Sequence, residues 1–255
     1  MKNKLFCISD VHGFYDEMRL ALDKAGFDPE NEGHWIITCG DHFDRGPKPA
    51  EVMRYLRSLP RKILVKGNHE ELLVDCCERG FAYSHDYSNG TYGTICELGD
   101  AGEGRSFDEC CVRTLAKTHL FLDSMVDYFE TKNYIFVHSW IPLIKKDDQP
   151  TYFAKPDNFK FRSDWRQGSI KEWEYSRWGN PFDLAEHGLN QTGKTIIFGH
   201  WHSSTGWAKA EGRSEFGDDA KFEPYYGDGF ISIDACTAHT SKVNVLVLED
   251  DFLER

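Results

Sequence analysis

Apolar residues near the start of the chain come in short unbroken runs, at 5–9, 35–38 and 62–66, rather than in alternation. Runs of that kind belong to strands covered on both faces. Between the first two, residues 14–25 place Phe14, Met18, Ala21, Leu22 and Ala25 on one face at helical spacing. A second helix is expected over 47–59, opened by Pro47 and stopped by Pro60. A third follows Gly67-Asn68-His69-Glu70 and runs to about Glu78. Strand and helix alternate at a spacing of roughly 30 residues, the length of a βαβ unit. A parallel sheet with right-handed crossovers is therefore predicted.

The periodicity dissolves over 79–104 and returns as a helix over 107–122. Residues 125–130 and 134–138 read as a hairpin around Thr131-Lys132-Asn133. A long irregular stretch then carries Trp140, Tyr152, Phe153, Phe159, Phe161, Trp165, Trp173, Tyr175 and Trp178. Segments of such length commonly form lids or binding loops. Their aromatics suit either a small core of their own or a stacking shelf for a nucleobase or phosphotyrosine ring. Strand-like runs at 195–198, 230–234 and 243–248 close the chain. With no repeat, low-complexity tract or linker, residues 1–255 are expected to form one domain, with a helical insert at about 80–124 and an aromatic-rich insert at about 139–193.

The formal charge of −12 argues against a partner bound through a phosphate backbone, so no nucleic-acid duplex is expected. Eight cysteines show neither metal-ribbon spacing nor a disulfide framework and suit reduced core thiols. The basic start meets Asp10 too early for a signal peptide, and no apolar run reaches membrane-spanning length. A cytoplasmic protein without membrane contact is the expectation. Oligomeric state leaves no signature in the sequence.

Polar clusters follow the strands: Asp10-Val11-His12-Gly13, then Asp41, His42, Asp44 and Arg45 within 39–47, then Gly67-Asn68-His69-Glu70, then His138 and His200. In open α/β sheets ligands bind beyond the carboxyl ends of strands, so these clusters are expected to converge. Crowded carboxylates repel unless something cationic lies among them. Carboxylate, imidazole and amide together suit borderline metals, and Arg45 points to an anion as well. Taken singly, Asp10-Val11-His12 reads as a turn, Asn68 as a helix N-cap, and His138 or His200 as a core histidine. Their consistent placement after apolar strands favours a site.

The motifs Asp-x-His-Gly, Gly-Asp-x-x-Asp-Arg-Gly and Gly-Asn-His-Glu, in this order, resemble those of the calcineurin-like metallophosphoesterases. Within these the nearest resemblance is to the phosphoprotein (serine/threonine) phosphatase family, bacterial or phage type. The resemblance implies an α/β fold, a layered sandwich whose central β-sandwich is flanked by helices. It implies two divalent metal ions, manganese foremost, with iron, zinc, cobalt or nickel admitted. Asp10 and His12 would hold the first, Asp41 would bridge, and Asn68, His138 and His200 would complete the second. His202, in Gly199-His200-Trp201-His202, matches the second histidine of a Gly-His-x-His pattern and would join the first metal. His69 would be the general acid, oriented by Asp44.

Phosphate would be held by Arg45 and Asn68, and by a second arginine for which Arg177 is the match and Arg162 the rival. The implied reaction is attack of a metal-bridging hydroxide on a phosphorylated protein or small phosphate ester, first of all phosphoserine or phosphothreonine. Hydrolysis of a dinucleoside polyphosphate is the alternative, and a non-catalytic metal-binding scaffold the remote one. His42 is read as structural or at the rim, Asp234 as structural, His239 as a minor candidate for the mouth, and Cys236 as an inert or redox-sensitive thiol.

Overall fold

The computed structural model describes residues 3–146 and 155–252, so Tyr152 and Phe153 of the aromatic stretch lie outside the described residues. In chain order, β1 (Asn3–Ile8), α1 (Tyr15–Ala25), β2 (His34–Cys39), α2 (Pro49–Ser58), β3 (Lys62–Val65) and α3 (Asn68–Arg79) form the alternating first part. Then come α4 (Ser84–Asn89), α5 (Thr91–Leu98) and α6 (Phe107–Asp123), followed by the hairpin β4 (Phe129–Glu130) and β5 (Tyr134–Phe136). A ribbon of β6 (Ile144–Lys145) and β7 (Phe159–Lys160) precedes α7 (Ile170–Ser176) and α8 (Pro181–Glu186). The chain continues through β8 (Thr195–Phe198), α9 (Ser204–Glu211), β9 (Tyr225–Gly227), β10 (Phe230–Ser232), α10 (Thr237–Thr240) and β11 (Leu246–Asp250).

Two sheets result. One has the order β11-β1-β2-β3, parallel except for β11. The other has the order β4-β5-β8-β10-β9, with β5, β8 and β10 parallel and both edges antiparallel. Successive strand residues point to opposite faces, so β1 divides its side chains between two cores. Leu5 and Cys7 pack with Ile37, Phe136 and Ile197 between the sheets. Phe6 and Ile8 pack outward against Met18, Leu56, Leu73 and Phe121 of the helices. On the far side, Ile135, Ile196 and Phe198 are covered by Trp140, Trp165, Trp173 and Phe182. The arrangement is the expected α/β sandwich, and double coverage explains why its strands read as unbroken apolar runs.

Two local expectations are corrected, and the expected helical insert takes a definite form. Pro49 rather than Pro47 opens the second helix, because residues 44–47 are held as a turn by Gly46 N donating to His12 O at 2.8 Å and Lys48 N to Gly13 O at 3.0 Å. Asn68 is not an N-cap: Gly67 takes that place, and Glu70 Oε2 accepts from Gly67 N at 2.7 Å. The stretch 79–104 is largely helical, since α5 buries Thr91, Thr94, Ile95 and Leu98, with Ile95 and Leu98 in the core formed with α3 and α6. Its order comes from tertiary packing, which periodicity in so short a helix does not announce.

Candidate metal centre

Each parallel strand delivers a polar side chain just past its last residue. Asp10, Asp41, His138, His200 and Asp234 lie two positions beyond β1, β2, β5, β8 and β10, and Asn68 three beyond β3. Backbone bonds knit the ends together, with Asp10 N donating to Gly40 O at 3.2 Å and Gly199 N to His138 O at 2.8 Å. Asp10, His12, Asp41, Asp44, Arg45 and His200 all adopt positive φ, between 50° and 71°. Left-handed backbone at non-glycine residues stores strain, on the order of 1–3 kcal/mol each, and such residues cluster at functional sites. Here the strain turns the side chains inward.

The side chains meet around Asp41. One group is His12, Asp41 and His69, and another is Asp41, His138 and His200. His12 Nε2 and His69 Nε2 lie 3.7 and 3.8 Å from Asp41 Oδ2. His138 Nε2 is 3.4 Å from Asp41 Oδ1, 2.7 Å from Asn68 Oδ1 and 3.1 Å from His200 Nδ1. Asp10 Oδ1 is 3.9 Å from His12 Nε2, while Asp10 Oδ2 accepts from His200 N at 2.9 Å.

The ring tautomers make this a test for a cation. His12 Nδ1 donates to Phe43 O at 2.9 Å, and His138 Nδ1 donates to Cys39 O at 2.8 Å. Each Nε2 is left as a lone pair, the state a metal-ligating imidazole needs. His138 Nε2 then faces carboxylate and amide oxygens with no proton of its own to share. Lone pairs brought together in this way repel until a cation enters. The guanidinium of Arg45 partly meets that need, with Nη1 2.9 Å from His12 Nε2 and Nη2 3.1 Å from His69 Nε2. The donors fit divalent metal.

Titration behaviour follows the same crowding. Burial, then the charges of Asp234 and Asp41, hold Asp10 well above the usual carboxylate range. Asp234 is pushed up to about 7, chiefly by burial. Burial keeps His12, His138 and His200 below the ordinary histidine value, and so neutral. His69 moves the other way: burial opposes its charge, but the carboxylates of Asp41 and Asp44 outweigh burial and raise it.

A supporting shell went unread in the sequence. Glu70 Oε2 accepts from Asp41 N at 3.0 Å, and Oε1 accepts from His42 N at 2.9 Å and lies 3.1 Å from His42 Nδ1. One carboxylate thus clasps the turn that carries Asp41, and the Gly-Asn-His-Glu spacing of a capping box was its only sequence signal. His42 is fully buried, its Nε2 2.7 Å from Thr38 Oγ1, which makes it structural rather than a rim residue. Asp44 takes Thr91 Oγ1 at 2.7 Å and donates its amide to Thr94 Oγ1 at 3.0 Å, both from α5.

Other expected residues are placed elsewhere. His202 joins neither group of donors; its Nδ1 is 2.7 Å from Ser204 Oγ and its Nε2 3.5 Å from Glu215 Oε1, with the ring edge-on to Phe216. Arg177 is buried and ion-paired through its terminal nitrogens with Glu71 and Asp127. Arg162 is likewise bound to Asp164 and Glu172. His239 rests against Phe216 and Phe222. Burial and the neighbouring Asp234 push the Cys236 thiol up to about 11, against ready thiolate chemistry. All eight cysteines are free. Among the described residues no helix is long and apolar enough to cross a membrane.

Residues 4–204 match the family described as calcineurin-like phosphoesterase. Among curated relatives, the symmetrical bis(5'-nucleosyl)-tetraphosphatase of Buchnera aphidicola is 41% identical over 70 residues, covering 27% of this chain and 25% of the relative. The protein of the same description from Dechloromonas aromatica is 33% identical over 97 residues, covering 38% of this chain and 33% of the relative. The chain thus spans a quarter to a third of the length of these relatives. A solved cold-active protein-tyrosine phosphatase of a psychrophilic Shewanella superposes with a TM-score of 0.56 at 15% identity, over 98% of this chain and 76% of that one. At that identity the likeness concerns the fold. The family match covers most of the sequence, and the chain belongs to the calcineurin-like phosphoesterases.

Proposed function

We propose that this calcineurin-like phosphoesterase hydrolyses a phosphoric ester or anhydride at a centre of two divalent metals. Asp10 and His12 would hold one, Asn68, His138 and His200 the other, and Asp41 would serve both. The observation that carries this reading is the convergence of imidazole lone pairs on the two oxygens of Asp41. When bound, the metals supply Lewis acidity that activates water and neutralises phosphoryl oxygens, a task for which manganese is the first choice.

The chain's own groups perform the rest. Arg45 is exposed and presents its guanidinium across the His12 and His69 rings, where it can grip a phosphoryl oxygen. His69, held through Nδ1 by Asp44 at 2.7 Å, turns Nε2 to the same space. As the water oxygen bonds to phosphorus and gives up a proton to solvent, the bond from phosphorus to the leaving oxygen breaks, and protonated His69 delivers its Nε2 proton to that oxygen and becomes neutral. His69→Asn is expected to retain metal while turnover of alkyl phosphates falls by about 10²–10⁴-fold, with a much smaller loss on aryl phosphates. Equal losses on both would remove His69 from that role.

For substrate, a dinucleoside polyphosphate is the reading we favour. The second phosphate arginine implied by a serine/threonine phosphatase has no free candidate, since Arg177 and Arg162 are both committed to carboxylates. The named activity of the partial-length relatives supports the same choice. Phosphoserine or phosphothreonine in proteins is the second reading, favoured by the Asp44–His69 pair, because an alkoxide needs a proton to leave more than a phosphate does. Release of phosphate from a phosphoseryl peptide, compared with cleavage of diadenosine tetraphosphate, each with Mn²⁺, decides between them.

A further inference from the structure

Beside the metal centre lies a cavity of about 670 Å³ that no step above uses. Its size is that of a small-molecule site. Trp140, Phe159, Trp178 and Trp201 form aromatic walls. Two of these tie it to the centre: Trp201 directly follows His200, and the Trp178 ring stands at 85° to the His200 ring, with centroids 6.2 Å apart.

Among the described residues the charges lining the cavity have one sign left over. Glu172 and Asp183 line it, but Glu172 is held by Arg162 and Asp183 by Lys209. Lys145 and Lys155 also line it, and neither forms a salt bridge with the described residues. The ribbon presents Lys145 and Phe159 as cross-strand partners, so a cation and a ring stand side by side. In a chain of net charge −12, lysines with no salt bridge among the described residues, set beside aromatic rings, suit a ligand that is both planar and anionic.

We infer that this cavity is the subsite for the base and outer phosphates of a nucleoside polyphosphate, the base stacking on the aromatic walls and the phosphates meeting Lys145 and Lys155. The inference deepens the dinucleoside polyphosphate reading and rests on it for the reaction, though binding can be tested apart from turnover.

Phe159→Ala and Lys145→Ala lie outside the donor cluster and are the variants to compare with the unaltered protein. On diadenosine tetraphosphate, Phe159→Ala is expected to raise KM about 10–100-fold, the range for losing one base–aromatic stack. Hydrolysis of p-nitrophenyl phosphate by the same variant should stay at the unaltered rate. Lys145→Ala should weaken both diadenosine tetraphosphate and base-free tripolyphosphate, whereas Phe159→Ala should spare tripolyphosphate. Unchanged KM for diadenosine tetraphosphate in both variants, or equal losses on every substrate, would overturn the assignment. So would a phosphotyrosyl peptide showing the larger Phe159-dependent effect. Failure to turn over p-nitrophenyl phosphate with Mn²⁺ would instead sink the hydrolase reading. In that event quenching of tryptophan fluorescence by ADP still decides: quenching weakened in Phe159→Ala upholds the subsite, and no quenching in the unaltered protein ends it.

Discussion

The Nδ1 atom of His69 lies 2.7 Å from Oδ2 of Asp44, and that same oxygen accepts from Thr91 Oγ1 at 2.7 Å. A fully buried carboxylate therefore orients the ring while a hydroxyl from α5 orients the carboxylate. Through Thr91 and Thr94, a helix in the stretch of sequence with no clear pattern becomes part of the site's support.

Asp44→Asn should loosen the hold on the His69 ring and lower the affinity of that ring for a proton. Turnover of an alkyl phosphate is expected to fall by about 10²–10⁴-fold, the usual worth of a positioned acid. Metal content, measured by elemental analysis of the purified protein, should stay at the unaltered level. Loss of metal in this variant would mean that Asp44 supports the ligands rather than the acid.

Asp41→Asn removes one anionic oxygen from the point where both groups of donors meet. Bound metal should drop, and the rise in Tm on adding Mn²⁺ should shrink, because a ligand stabilises only as far as the folded chain binds it. A variant with the same metal stoichiometry and the same rise would displace Asp41 from the centre.

Gly90 sits at φ +89°, and a Cβ there would strike the backbone nitrogen of Arg45. Gly90→Ala is expected to cost about 1–3 kcal/mol in urea unfolding. It should also lower alkyl phosphatase turnover, because Thr91 follows Gly90 directly. Full stability in this variant would show that α5 can shift freely.

Asp250 fastens the two sheets at their edge: from β11 it accepts from Thr131 Oγ1 at 2.6 Å, Asn133 N at 3.0 Å and Asn133 Nδ2 at 2.7 Å. Burial pushes its carboxyl up, but these hydrogen bonds win and hold it below the usual value. The unfolded chain, with Asp near pKa ~3.9, then binds more protons than the folded one in acid. Stability from Asp250 is thus present above about pH 4 and lost as pH falls through its lowered folded pKa. Asp250→Asn should flatten the dependence of Tm on pH below about pH 4 and cost about 1–3 kcal/mol at neutral pH. An unchanged acid slope would count against this account.

Much of the centre was readable because of one regularity. A strand covered on both faces is an unbroken apolar run, so the polar residue just past its end stands out, as Asp10, Asp41, His138 and His200 do. Most of the insert's aromatics went to a core of their own. Trp165, Trp173 and Phe182 are buried as a cover for the second sheet, while Phe159 and Trp178 border the cavity. Arg177, Arg162 and His202 face carboxylates instead of the donor cluster, and no local pattern in the sequence announces which carboxylate a cationic or imidazole side chain will meet. Those partners, Glu71, Asp127, Asp164, Glu172 and Glu215, come from several separate elements.

What the sequence determined by itself was the alternation of buried strand and helix and the kind of atom placed at each strand's end, since both follow from local hydrophobicity and residue type. Only the tertiary structure decided which arginine meets the donor cluster without a carboxylate partner, which ring nitrogens keep a lone pair, and that α5 braces Asp44. Those outcomes depend on competition among hydrogen-bond partners distant in the chain, and proximity settles that competition only once the two sheets have closed on each other.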